Sequence, residues 1–147
     1  ACLVGSEMCI RDSYGAGQNP NGAYAAVIAQ FLQCALKGQP VRIDGTGRQS
    51  RDFIAVEDVA RANILAAQKG VPGETYNVAC GKSYSLLALL RLIEQTTHQK
   101  LARTFAPSRA GDVRTSSADI SKISRLGFKP RIMLQTGIAR LWHTLQQ

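Results

Sequence analysis

The chain has 147 residues, 45% of them hydrophobic and 19% charged, which is the size and composition of one globular domain able to bury a core. No apolar run approaches the ~20 residues needed to cross a bilayer as a helix. The formal net charge of +8 is spread over Lys37, Arg42, Arg61, Lys82, Arg91, Arg125 and Arg140. It forms no basic cluster with interleaved aromatics, so nucleic-acid binding is unsupported, whereas a basic balance suits an anionic nucleotide.

In chain order, residues 1–13 stand apart. They show neither a period of 2 nor one of 3.6, and they hold Cys2 and Cys9. The string from Leu3 to Ser13 resembles translated sequencing-adapter sequence, so 1–13 are expected to be a non-native segment. The alternative is a genuine short strand, Cys9 to Ser13. The other cysteines, Cys34 and Cys80, form no Cys-x-x-Cys pair. His98 and His143 lie far from them, so no zinc pattern is present and free thiols are expected.

Tyr14 to Gly22 reads as a glycine- and asparagine-rich loop. From Ala23 the pattern is helical, with Val27, Ile28, Phe31, Leu32 and Ala35 on one face. Lys37-Gly38 and Pro40 end it. Val41-Arg42-Ile43 then predicts a strand. Asp44-Gly45-Thr46-Gly47 predicts a turn whose glycines tolerate positive φ.

Phe53-Ile54-Ala55-Val56 predicts a buried strand, and Glu57-Asp58 a helix start. The second helix is expected to bury Val56, Val59, Ala60, Ile64 and Ala67. Between turn and strand stand Arg48 and Arg51. They read either as solvated arginines or as a diphosphate site, because a guanidinium binds phosphate oxygens in pairs.

Glu74 to Ala79 alternates like a strand, and Gly81 and Ser83 form a turn. Ser85 caps a third helix with a stripe of Leu86, Leu89, Leu90 and Ile93. Ala102 to Ala106 reads as a strand, and Ser108 to Arg114 as a loop. Asp119 caps a short helix from Ile120 to Leu126. A last helix follows Pro130, with Leu134, Ile138, Leu141 and Leu145 as its apolar positions. This order predicts mixed α/β structure.

Four motifs in sequence then carry a resemblance. They are Tyr14-Gly15-x-Gly17-Gln18; Gly45-x-Gly47 with Arg51-Asp52-Phe53-Ile54-Ala55-Val56-Glu57-Asp58-Val59-Ala60; Tyr76-Asn77-Val78 with Gly81; and Arg109-x-Gly111-Asp112 followed by Asp119-x-x-Lys122. Together they resemble the C-terminal half of the extended short-chain dehydrogenase/reductase family, the NAD-dependent epimerases and dehydratases of sugar nucleotides. The likeness covers residues 14–147. The run from Asn19 to Ile28, with Gly111-Asp112-Val113-Arg114, is similar to UDP-N-acetylglucosamine 4-epimerases of bacterial surface-polysaccharide pathways.

The resemblance implies an α/β fold, the substrate-binding part of an extended short-chain dehydrogenase/reductase without most of its Rossmann domain. It implies a UDP-sugar substrate and NAD in the parent enzyme, which would be a cytoplasmic homodimer. By position, Arg51 and Arg109 would bind the diphosphate and Asp112 the ribose hydroxyls. Gln18 would lie near the sugar, and Ala25, Ala26 and Val27 beside the nucleotide. Ser116 would stand where the family gates the sugar 2-substituent, its small side chain leaving room for an N-acetyl group. Asp112 as a turn cap and Ser116 as an ordinary loop serine are the alternatives.

The chain departs from the family in three ways. It has no strand–Gly-x-x-Gly-x-x-Gly–helix for NAD. Four residues after its tyrosines stand Gln18, Ile28, Cys80 and Ala88, so the catalytic Tyr-x-x-x-Lys is missing. Asp12 replaces the family asparagine three residues before Gly15. A fragment inactive by itself, binding NAD poorly, is therefore expected. A dehydratase fragment and a stand-alone nucleotide- or anion-binding module are the competing readings. A stand-alone module should leave no exposed sheet edge, and a truncation should expose apolar surface.

Overall fold

The computed structural model describes residues 12–21, 26–108, 111 and 113–147. The fold is α/β. Among these residues it has six short strands, β1 Ser13–Tyr14, β2 Val41–Asp44, β3 Ser50–Arg51, β4 Ile54–Ala55, β5 Tyr84–Ser85 and β6 Arg103–Ala106. Its helices are α1 Val27–Lys37, α2 Val56–Lys69, α3 Leu86–Thr97, α4 Ser121–Arg125 and α5 Leu134–Leu145.

The strands make three pairs. β1 runs parallel to β4, β2 parallel to β6, and β3 antiparallel to β5. The parallel pairs need long crossovers, and the chain supplies them: α1 to β3 lie between β1 and β4, and β3 to α3 between β2 and β6. Ser50 also bridges Thr115 on the side of β3 away from β5.

The main core follows the period-3.6 stripes. Ile28, Phe31, Leu32 and Ala35 of α1 pack with Leu89, Leu90 and Ile93 of α3, Leu134 and Ile138 of α5, and Val41 and Ile43 of β2. Gly38, at φ 62°, ends α1 with its N–H on Ala35. Ser85 caps α3 by accepting the Ala88 N–H at 3.1 Å. A smaller cluster, Ile54, Ala62, Ile123 and Phe128, lies under α2 and α4.

Four expectations need correction. Helix α2 does not bury the expected stripe: Val56 is 47% and Ile64 58% exposed, and Ala60 and Ala67 are exposed. Its buried residues are Asp58 and Ala62, with Val59 partly buried. The cause is polar. Asp58, 0% exposed, accepts the backbone N–H groups of Arg131 and Ile132 and pairs with Arg61, and these bonds turn its face inward.

The expected strand Phe53–Val56 is also divided. Ile54–Ala55 is strand, and Val56 already begins α2. The alternating segment Glu74–Ala79 forms no ladder among the described residues. It keeps only the alternation of burial, with Tyr76 and Val78 half-buried and Asn77 exposed.

Of the segment set apart at the N-terminus, Asp12 and Ser13 are described, and both are integrated. Ser13 pairs with Ile54 in β1, and Asp12 is buried. Helix α5 approaches β1 closely at Gly137, where an added Cβ would lie 2.2 Å from the Tyr14 hydroxyl oxygen.

Candidate functional site

The site begins at the turn between β2 and β3. Gly45 and Gly47 take φ of 77° and 72°, as the sequence requires. At Gly47 a Cβ would also meet Leu87 Cγ at 2.9 Å, so glycine is needed there for close approach as well as for φ. The carbonyls of Gly47 and Gln49 accept the N–H groups of Leu87 and Leu86. The turn is thereby fastened to the start of α3, and β3 is carried beside β5.

Arg51 ends β3 with a side chain only 18% exposed. Its Nη1 donates to the Val113 carbonyl at 2.6 Å and to the Ser50 carbonyl at 2.8 Å. Its Nε lies 3.9 Å from Asp12 Oδ1. Asp12 Oδ2 in turn accepts the Ser116 hydroxyl at 2.8 Å. Ser116 is held in register by its own N–H on Ser50, at 3.0 Å, and its carbonyl accepts the Ser83 hydroxyl. Residues from four separate parts of the sequence therefore meet.

Behind them is a cavity of about 220 Å³. Its polar lining is Asp12, Asp52, Asn77, Ser116, Ser117 and Asp119; Ile54, Val78, Ala79 and Ala118 supply apolar wall. Asp119 is held below the usual carboxylate range by hydrogen bonds from the Ser121 hydroxyl and backbone N–H. Cys80, close by, is pushed up to about 11 by burial first, then by the charges of Asp52 and Asp58. It is a poor thiolate, which argues against nucleophilic chemistry there.

The arrangement offers a partly desolvated guanidinium next to a pocket of hydroxyl, amide and carboxylate groups. Chemically it suits an anion joined to a neutral polyhydroxylated group. Among the described residues no three His, Cys, Asp or Glu side chains gather as a metal site, and no helix is long and apolar enough to cross a membrane.

Of the expected site residues, Arg51 and Ser116 are brought together. Gln18 is not in this cavity. It donates to the Ser13 carbonyl at 3.2 Å and lines a separate cavity of about 60 Å³ with residues of α1 and α5. Ala26 is buried at the start of α1, and Val27 packs on the main core. Ala25, Arg109 and Asp112 lie outside the described residues.

Asp52 and Asn77 carry no role in the sequence reading. Local sequence does not mark Asp52, because its partners, the Cys80 and Gly81 N–H groups, lie 28 and 29 residues away.

Residues 8–79 match the family described as the NAD dependent epimerase/dehydratase family. A putative UDP-glucose 4-epimerase of Methanocaldococcus jannaschii is 38% identical over 128 residues, 87% of this chain and 41% of that protein. Among solved structures, the Thermotoga maritima UDP-glucose 4-epimerase with UDP-glucose superposes with a TM-score of 0.86 at 34% identity, covering 92% of this chain and 45% of that one. The Methanobrevibacter ruminantium UDP-N-acetylglucosamine 4-epimerase, in complex with UDP-N-acetylmuramic acid, gives 0.81 at 35% identity, covering 92% and 44%.

Residues 8–79 therefore match a segment of the NAD dependent epimerase/dehydratase family, and the fold is that of part of an extended short-chain dehydrogenase/reductase. Sugar-nucleotide 4-epimerases are its homologues, and it spans between 41% and 45% of the length of these relatives. The family is NAD-dependent. The 147 residues themselves contain neither the glycine-rich dinucleotide turn nor Tyr-x-x-x-Lys. They do not by themselves fit NAD, and no hydride step is assigned to them.

Proposed function

We propose that this chain is the sugar-nucleotide-binding portion of a UDP-N-acetylhexosamine 4-epimerase that works with NAD as a cytoplasmic homodimer. In this reading residues 14–147 are the substrate-binding region, and a foreign segment is confined to residues ahead of Met8, where the family match begins. The observation that carries the reading is that Asp12 and Ser116, bonded to each other, line a cavity of about 220 Å³ while Arg51 stands beside it, its Nε 3.9 Å from Asp12 Oδ1.

Arg51 binds the diphosphate, with Arg109 as its second cation and Asp112 as acceptor for the ribose hydroxyls. Ala25, Ala26 and Val27 flank the nucleotide where α1 begins. The sugar enters the cavity, where Asn77 and Ser117 offer donors and acceptors to its hydroxyls. These residues bind and orient the substrate. Ser116 lines the cavity, and its small side chain leaves volume for an acetamido group.

Calorimetry on the 147-residue chain tests the proposal. UDP binds, and Arg51→Ala weakens it by about 1–3 kcal/mol, the loss of a charge-assisted pair. Ser116→Tyr fills the cavity and lowers the preference for UDP-N-acetylglucosamine over UDP-glucose by roughly tenfold. An Arg51→Ala chain with undiminished UDP affinity removes Arg51 from the site. An unchanged sugar ratio in Ser116→Tyr removes the N-acetyl assignment.

A further inference from the structure

Asp52 is 3% exposed, and its carboxylate accepts two backbone N–H groups, those of Cys80 and Gly81, each at 2.9 Å. Its neighbour Arg51 holds the opposite segment through the Val113 carbonyl. The last residue of β3 and the one after it thus each fasten a segment that leads into a wall of the same cavity: Arg51 holds Val113, three residues before the lining Ser116, and Asp52 holds Cys80 and Gly81, next to the lining Ala79. The walls are also tied across: Asn77 Nδ2 donates to the Asp119 carbonyl at 3.3 Å, and the Ser83 hydroxyl to the Ser116 carbonyl at 3.0 Å.

We infer that Asp52 is a positioning residue for the sugar end of the site, setting the width of the cavity by latching the Asn77–Gly81 wall to the strand that carries Arg51. The inference rests on the proposed reading that Arg51 takes the diphosphate and the cavity the sugar. A carboxylate suits the role because both of its oxygens accept. An asparagine of the same size has one acceptor oxygen and would turn its NH2 group toward the second N–H. Releasing one latch frees the wall that meets the sugar and leaves the contacts of Arg51 in place. Asp52 acts through the wall.

The test compares Asp52→Asn, Ser83→Ala and Arg51→Ala in the full chain by calorimetry and backbone hydrogen exchange. Asp52→Asn is expected to cut the affinity gained on going from UDP to UDP-N-acetylglucosamine by roughly fivefold, the loss of about one hydrogen bond, while UDP affinity stays within about twofold. Exchange should rise by roughly tenfold over 76–83 and, through the cross-ties, over 116–119. Ser83→Ala removes no buried charge and should speed exchange at 116–119 alone, which keeps the inference testable if Asp52→Asn unfolds.

A merely structural Asp52 would lower both affinities together, and that outcome overturns the inference. So does unchanged exchange at 116–119 in both variants. If Arg51→Ala keeps its UDP affinity, the diphosphate reading falls and Asp52 is judged on exchange alone. If no chain binds either ligand, both ideas are overturned.

Discussion

The two hydrophobic clusters of this molecule are built on different physics. Around α1, α3 and α5 the order comes from apolar stripes, and Phe31, Leu32, Leu89, Leu90, Ile93 and Ile138 leave no more than 2% of their surface to water. Around α2 the order comes from carboxylates. Asp58 grips Arg131 and Ile132, and Asp52 grips Cys80 and Gly81. Where burial is apolar, the sequence periodicity shows which face turns inward. Where a buried acid holds backbone amides, the inward face is set by hydrogen bonds, and an apolar stripe such as Val56–Ile64 is left outside.

The contrast can be broken first on the apolar side. Phe31→Ala should cost about 3–5 kcal/mol of unfolding free energy, because a ring removed from a packed interior leaves a cavity that closes only in part. Denaturant unfolding checks this, and a loss below about 1 kcal/mol would mean that the stripe is not the main support.

The polar side should respond more selectively. Asp58→Asn keeps the volume and can leave one oxygen on the Arg131 and Ile132 N–H groups, but it then turns an NH2 group toward the Arg61 guanidinium and removes the charge that faces it. The expected loss is about 1–3 kcal/mol, with faster amide exchange confined to residues 129–133 and the start of α2. Uniform acceleration across α1 and α3 would show that the two regions are a single cooperative unit.

The smallest effect sharpens the comparison through pH. Cys80 is pushed up to about 11, chiefly by burial, and Tyr14 and Cys34 are also raised by burial. Each folded acid holds its proton more tightly than the unfolded chain does. Their contribution is complete below the ordinary value of each group and is lost as pH rises from there through the folded value, about 11 for Cys80. The thermal midpoint should therefore fall by a few degrees between pH 9 and 11, and fall less in Cys80→Ala. A flat profile would mean that Cys80 is solvated.

Much of the fold was legible because it follows spacing. The α1 and α3 stripes, the Ser85 cap, strand β6 and the glycine turn at 45–47 all express local rules of period, capping or φ. The site was legible in part. Arg51 and Ser116 stood out through motif context, and Asp12 joins them, facing the guanidinium and accepting the Ser116 hydroxyl. Asp52 did not stand out, because its partners are backbone amides 28 and 29 residues away, which no spacing rule reveals. The boundary at residue 13 was drawn from missing periodicity and from likeness to adapter sequence, and neither registers that Ser13 has a strand partner at Ile54. The Glu74–Ala79 alternation reported burial correctly but not pairing, since alternation describes which side faces inward and not whether a neighbour is present.

The grip of Asp58 also has a consequence in time. Its partners Arg131 and Ile132 lie 73 and 74 residues further along the chain. At a synthesis rate of about 5–20 residues per second, some 4–15 s separate the making of the acid from the making of its amides. In that interval α2 can wind locally, with Arg61 one turn away as a temporary companion for the charge. Burial has to wait for the C-terminal segment. The nascent chain thus presents a partly formed helix whose docking surface stays unfinished until residues 131 and 132 have been made.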